Sequence, residues 1–148
     1  MGVCSLGGQS DYNYAMEHIP APELTELLAR ALERRLPLLD DDRRVAYRLF
    51  NGFTEGYPSL VAELFGHTLL LLTHKVSERE SQRLGELARG FYRGALTGID
   101  CVILKNRSTP DPAKKRGSVI HGANPDISVL ENGVTYAIDL LMNQDAGF

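Results

Sequence analysis

LVAELFGHTLLLLT, residues 60–73, decides the fold. Leu60 to Phe65 and His67 to Thr73 are two short apolar runs, and Gly66-His67 between them leaves room only for a tight connection, so they are expected to form an antiparallel hairpin. The run Leu69-Leu70-Leu71-Leu72 is too short to span a membrane and reads as a strand buried on both faces. Upstream, Val45, Tyr47 and Leu49 alternate with Ala46, Arg48 and Phe50, a period of two that predicts another strand. Asn51-Gly52 and Glu55-Gly56-Tyr57-Pro58 are turns.

Two helices flank this core. In residues 22–36, Leu24, Leu27, Leu28, Ala31 and Leu32 share one face, Pro22 suits the first turn, and Arg34 and Arg35 suit the negative end of the helix dipole. In residues 77–95, Ser77 is the expected N-cap and Glu80 the third residue of a capping box, with Leu84, Leu87, Ala88, Phe91, Tyr92 and Ala95 on the apolar face. Ile99 to Leu104 reads as a strand covered on both faces, and residues 105–126 as a long loop with a short strand at Val119-Ile120. Asn132-Gly133 joins strands at 126–130 and 134–141, and Val134, Tyr136, Ile138 and Leu140 are expected on one side of the second. The expected fold is α/β (α+β), a mixed and largely antiparallel sheet with two main helices, ending in a β-hairpin. The expected organisation is a leader at 1–20, a central α/β domain at 21–125 and a hairpin at 126–148.

The chain has 148 residues, 43% hydrophobic and 24% charged, with a net charge of -3. Those values fit one globular domain and exclude collagen-like, coiled-coil and largely disordered chains. A negative total argues against indiscriminate nucleic-acid binding but allows a local basic surface. Cys4 and Cys101 have no metal-ligand spacing, and Cys101 reads as a small core residue. No secretory pattern opens the chain, and a cytoplasmic protein is expected. Asp40-Asp41-Asp42 reads as a solvated turn. His67, His74 and His121 are scattered, and Glu55, Glu63 and Asp139 lie on different elements, so neither a metal site nor a catalytic residue is assigned.

Lys105, Arg107, Lys114, Lys115 and Arg116 concentrate positive charge on the expected loop, opposed by Asp111. They read equally well as a solvated loop or as contacts to RNA phosphates, with Tyr57 or Phe53 able to stack on an unpaired base. The final residues, Asn143-Gln144-Asp145-Ala146-Gly147-Phe148, gather side-chain amides, a glycine and an aromatic beside the hairpin. Spacing alone favours a polar turn closing that hairpin.

Two blocks carry a resemblance. ENGVTYAIDLLMNQDAGF, residues 131–148, is similar to the segment entering the catalytic domain of S-adenosylmethionine-dependent RNA methyltransferases, a family that includes ribosomal RNA cytosine 5-methyltransferases. There a hairpin is followed by Asn-Gln-x-x-Gly-Phe. RLFNGFTEGYPSLVAELFGHTLLLLTH, residues 48–74, resembles the block that opens the family's central domain, departing from it at Phe53-Thr54-Glu55, Ser59 and Glu63. The resemblance covers about residues 22–148 and implies that Asn143, Gln144, Gly147 and Phe148 border the S-adenosylmethionine site. It also implies that the chain supplies RNA positioning without the catalytic core, whose glycine-rich loop and cysteines are expected downstream. RNA is the partner so implied, and a homodimer is compatible with the sequence. The alternative is a stand-alone, non-catalytic module binding RNA or protein. An independent small enzyme lacks a nucleophile–base pair.

Overall fold

The computed structural model describes residues 21–142. Helix α1 (Ala21–Arg35) passes through a short 3-10 turn at Leu36–Leu38 and leads to strand β1 (Ala46–Asn51). A helical turn, α2 (Gly52–Glu55), then precedes the hairpin of β2 (Leu60–Phe65) and β3 (Thr68–Thr73). Helix α3 (Glu78–Ala95) crosses back to β4 (Cys101–Asn106). The short helix α4 (Pro112–Arg116), β5 (Ser118–Gly122) and a final hairpin of β6 (Ser128–Glu131) and β7 (Val134–Ala137) complete the chain.

The large sheet has the order β1-β2-β3-β4-β5. β3 and β4 are parallel, with Thr68 opposite Cys101 and Thr73 opposite Asn106, and the other three pairings are antiparallel. The fold is therefore the expected mixed α/β arrangement with a terminal antiparallel hairpin. The helical crossover α3 supplies the parallel pair, because two parallel neighbours need a connection longer than a tight turn.

Burial follows from three stacked layers. β3 and β4 are buried at every position. One sheet face, with Leu69, Leu71, Val102 and Leu104, packs against Leu24, Leu28, Leu84, Ala88 and Tyr92 of α1 and α3. The opposite face, with Leu70, Leu72, Cys101 and Ile103, is covered by Val129, Ile138 and Leu140 of the terminal hairpin and its continuation. The alternating side chains of β4 thus feed two different apolar clusters, which is why its sequence shows no polar face.

Local signals set several boundaries. Ser77 Oγ accepts from the Glu80 amide at 3.1 Å, capping α3 as expected. The other half of the box is not made, because Glu80 instead takes Arg83 through two contacts of 2.6 and 2.9 Å. Asn132 and Gly133 adopt φ of 51° and 78°, the left-handed pair that a two-residue hairpin turn requires. The expected strand at 134–141 stops at Ala137: Val134 and Tyr136 are exposed, while Ile138 and Leu140 turn down onto the sheet and are buried. Residues 105–126 are also more structured than a loop. β4 runs on to Asn106, and α4 and β5 follow.

Candidate functional site

Strands β1, β3 and β4 point the same way, so their carboxyl ends, Asn51, Thr73 and Asn106, share one end of the sheet. Ligand sites of open α/β sheets gather outside such ends. At this end the amino end of α3 meets the basic segment after Asn106, and the turn carrying Phe53 follows the edge strand β1.

The basic segment is anchored rather than loose. Arg107 donates its amide to Thr73 O at 2.9 Å, and its guanidinium Nη1 donates to Lys115 O at 3.3 Å. The Lys75 amide is bonded to the Ser108 hydroxyl. Asp111, the one acidic residue within the segment, caps the one-turn helix α4 by accepting from the Ala113 amide at 3.0 Å. Glu78 was not foreseen as a partner of this segment. Its carboxylate accepts from Asn106 Nδ2 at 2.9 Å and lies 3.8 Å from Lys114 Nζ. The Asn106 hydrogen bond holds Glu78 below its ordinary pKa, against the opposing effect of burial. The link is long-range in sequence, and only the β3–α3–β4 crossover brings it together.

Two expectations are corrected here. Lys105 does not join the exposed cations: it is the fifth residue of β4, fully buried, and its ammonium donates to Met142 O at 2.9 Å. The apolar run Cys101–Leu104 ends two residues before the strand does, so the apolar pattern alone sets the strand's end too early. Tyr57 is fully buried and has no ring face to offer a base, whereas Phe53 is 83% exposed. The structure therefore groups Arg107, Lys114, Lys115 and Arg116, all at least partly exposed, beyond the carboxyl end of β4, with Phe53 at the same end of the sheet after the edge strand β1.

Several other acidic and imidazole groups are engaged structurally. Glu55 bridges Arg35 at 2.5 Å and the Asn51 amide at 2.6 Å, which holds α2 in place. Glu63 pairs with Arg48 across β1 and β2 at 2.5 Å. Asp40 accepts from the Tyr47 hydroxyl at 2.9 Å, and burial and this bond together raise the Tyr47 pKa. Asp42 pairs with Arg44 at 2.9 Å. At the opposite sheet end, Asp126 accepts from the His67 amide at 3.0 Å and from Thr68 Oγ1 at 2.6 Å, fastening the terminal hairpin to the β2–β3 turn. His67 Nδ1 lies 2.8 Å from Gly98 O. Asp139 faces solvent and accepts from the Leu141 amide at 3.0 Å. Cys101 is buried, and burial raises its thiol pKa, which leaves it as core rather than nucleophile. Among the described residues no cluster of His, Cys, Asp and Glu is arranged to hold a metal, and no helix is long and apolar enough to cross a membrane.

Asn143, Gln144, Gly147 and Phe148 lie outside the described residues. Among the described residues, a groove of about 350 Å³ runs between Pro125–Ile127 and Ile138–Leu141. Its walls are apolar, and its two carboxylates, Asp126 and Asp139, are already hydrogen-bonded within the chain. The groove offers carboxylate acceptors but no side-chain donor, so of a nucleoside cofactor it could hold only the hydrogen-bond donors, such as ribose hydroxyls.

No family model and no curated protein matches the chain. Solved structures do share its fold. One is "a putative SAM-dependent methyltransferase from Streptococcus mutans", 15% identical, with a TM-score of 0.62, aligned over 81% of this chain and 30% of its own. Another is "a putative methyltransferase complexed with SAH", 16% identical, with a TM-score of 0.63 and the same coverage. The chain spans about 30% of the length of each of these proteins, and at such identities the likeness is one of fold.

Proposed function

We propose that this chain is the substrate-side portion of an S-adenosylmethionine-dependent RNA methyltransferase, with ribosomal RNA cytosine as the favoured target. In this reading Arg107, Lys114, Lys115 and Arg116 take RNA phosphates, and Phe53 stacks on an unpaired base. The observation that carries it is a coincidence of place. The segment leading to Asn143 is tied at Met142 to the carboxyl half of β4, the strand whose end carries the basic segment. Asn143, Gln144, Gly147 and Phe148 follow Met142 in the chain and, in this reading, border the cofactor. The likeness of fold to methyltransferases, one of them solved with SAH, supports this reading.

The chain's own residues supply charge, shape and a stacking face, and no group among those described performs the methyl transfer. The coding sequence beyond codon 148 tests the cofactor half: a frame continuing into a glycine-rich nucleotide-binding loop is expected, and a stop there with no such frame refutes it. The RNA half is tested by amide shift mapping with a single-stranded oligonucleotide. Shifts are expected at residues 107–117 and around Phe53, and shifts confined to the opposite sheet end would refute the assignment.

A further inference from the structure

Lys105 is the only charged residue of β4 and is fully buried. It follows Cys101 and Ile103 on the face covered by the terminal hairpin, and it stands opposite Leu72 in the register with β3. A buried ammonium among leucines is costly unless its hydrogen bonds are made. Part of that requirement is met by Met142 O at 2.9 Å, a main-chain acceptor 37 residues away. The stem passes beneath Gly117, which has φ of +101°. A Cβ at Gly117 would lie 2.7 Å from Lys105 Cγ and 3.0 Å from Ile103 Cγ2. The glycine therefore leaves the space through which the lysine runs. An apolar residue would fill the same position in the cluster without reaching the carbonyl, so packing alone does not account for a lysine.

We propose that Lys105 is a positioning residue: it pins the main chain at Met142 to β4 and so fixes the course of residues 138–142 over the sheet. The value of that placement rests on the function proposed above; the clamp itself does not. The test compares the full chain with K105M and K105R by amide hydrogen exchange. K105M is expected to speed exchange across residues 138–142 roughly tenfold or more, as the loss of a hydrogen bond from a charged donor should. Amides of β3 and α3 are expected to keep their protection. K105R, which retains a donor, is expected to recover part of the effect. Unchanged exchange at 138–142 in K105M overturns the proposal. Should K105M fail to fold, G117A displaces the stem from the other side, and the same local loosening is expected. Its absence from folded G117A again overturns the clamp. Oligonucleotide affinity is expected to stay within about twofold in K105M, because the ammonium is not at the surface. A large loss of affinity with unchanged exchange would return Lys105 to the role of a phosphate contact. Failure of the RNA assignment would appear instead when the exposed cations are neutralised.

Discussion

Replacing Lys114, Lys115 and Arg116 together with glutamine tests the proposed RNA surface most directly. Four cations that are at least partly exposed, these three on α4 and Arg107 just before it, make up this surface. For single strands each neutralised phosphate contributes about 0.7 to the slope of log K against log salt, so four contacts give a slope near −2.8. Between ~50 and ~200 mM salt the parent chain should then lose affinity about 50-fold. The triple variant keeps Arg107 alone, its slope should fall to about −0.7, and the same salt step should cost only about threefold. The side chains are on the surface, and the Arg107–Lys115 bond uses a main-chain carbonyl that glutamine retains, so the melting temperature should hardly move. Fluorescence anisotropy with a labelled single-stranded oligonucleotide, read across the salt series, provides the measurement. Equal slopes for parent and variant refute the assignment, whatever the absolute affinities.

Other outcomes follow from single sites. Phe53→Ala should leave the salt slope unchanged while weakening oligonucleotide binding by about 1–3 kcal/mol, the value of one stacked base, measured in the same anisotropy assay. Gly90→Ala should raise stability by about 1 kcal/mol in chemical denaturation, because the position lies in α3 with open space around it. Gly85→Ala should not show that gain, since its Cβ would come within 2.7 Å of Leu104 Cδ2 in a packed core. Glu78 has its folded pKa lowered from 4.5, so its ion stabilises the fold above the unfolded value, and that contribution disappears as pH falls through the lower folded value. Glu78→Gln should therefore be less stable than the parent at pH 7, by under about 1 kcal/mol for so exposed a pair, and the gap should narrow in urea titrations as pH falls below 4.5 and through the lowered folded value.

The sequence by itself determined the elements whose cause is local. The apolar runs at 60–65 and 68–73, the capped amphipathic helix from Ser77, and the Asn132-Gly133 turn each follow from neighbours a few residues apart, and all appear where their pattern places them. The burial of β4 on both faces was legible for the same reason, since an unbroken apolar run has no solvent side. Tertiary structure decided the rest, because burial and partnership are properties of distant segments. Lysine at 105 reads as a surface cation until the hairpin at 128–137 and its continuation close over β4. Tyr57 and Phe53, both aromatics in turns, are indistinguishable until packing buries one and leaves the other in solvent. Glu78 joins Asn106 and Lys114 only because α3 returns the chain to pair β4 with β3. Period and capping are encoded within one element. Charge placed beside a carbonyl 37 residues away is fixed only when layers stack, and that stacking set the candidate site at the carboxyl end of the sheet.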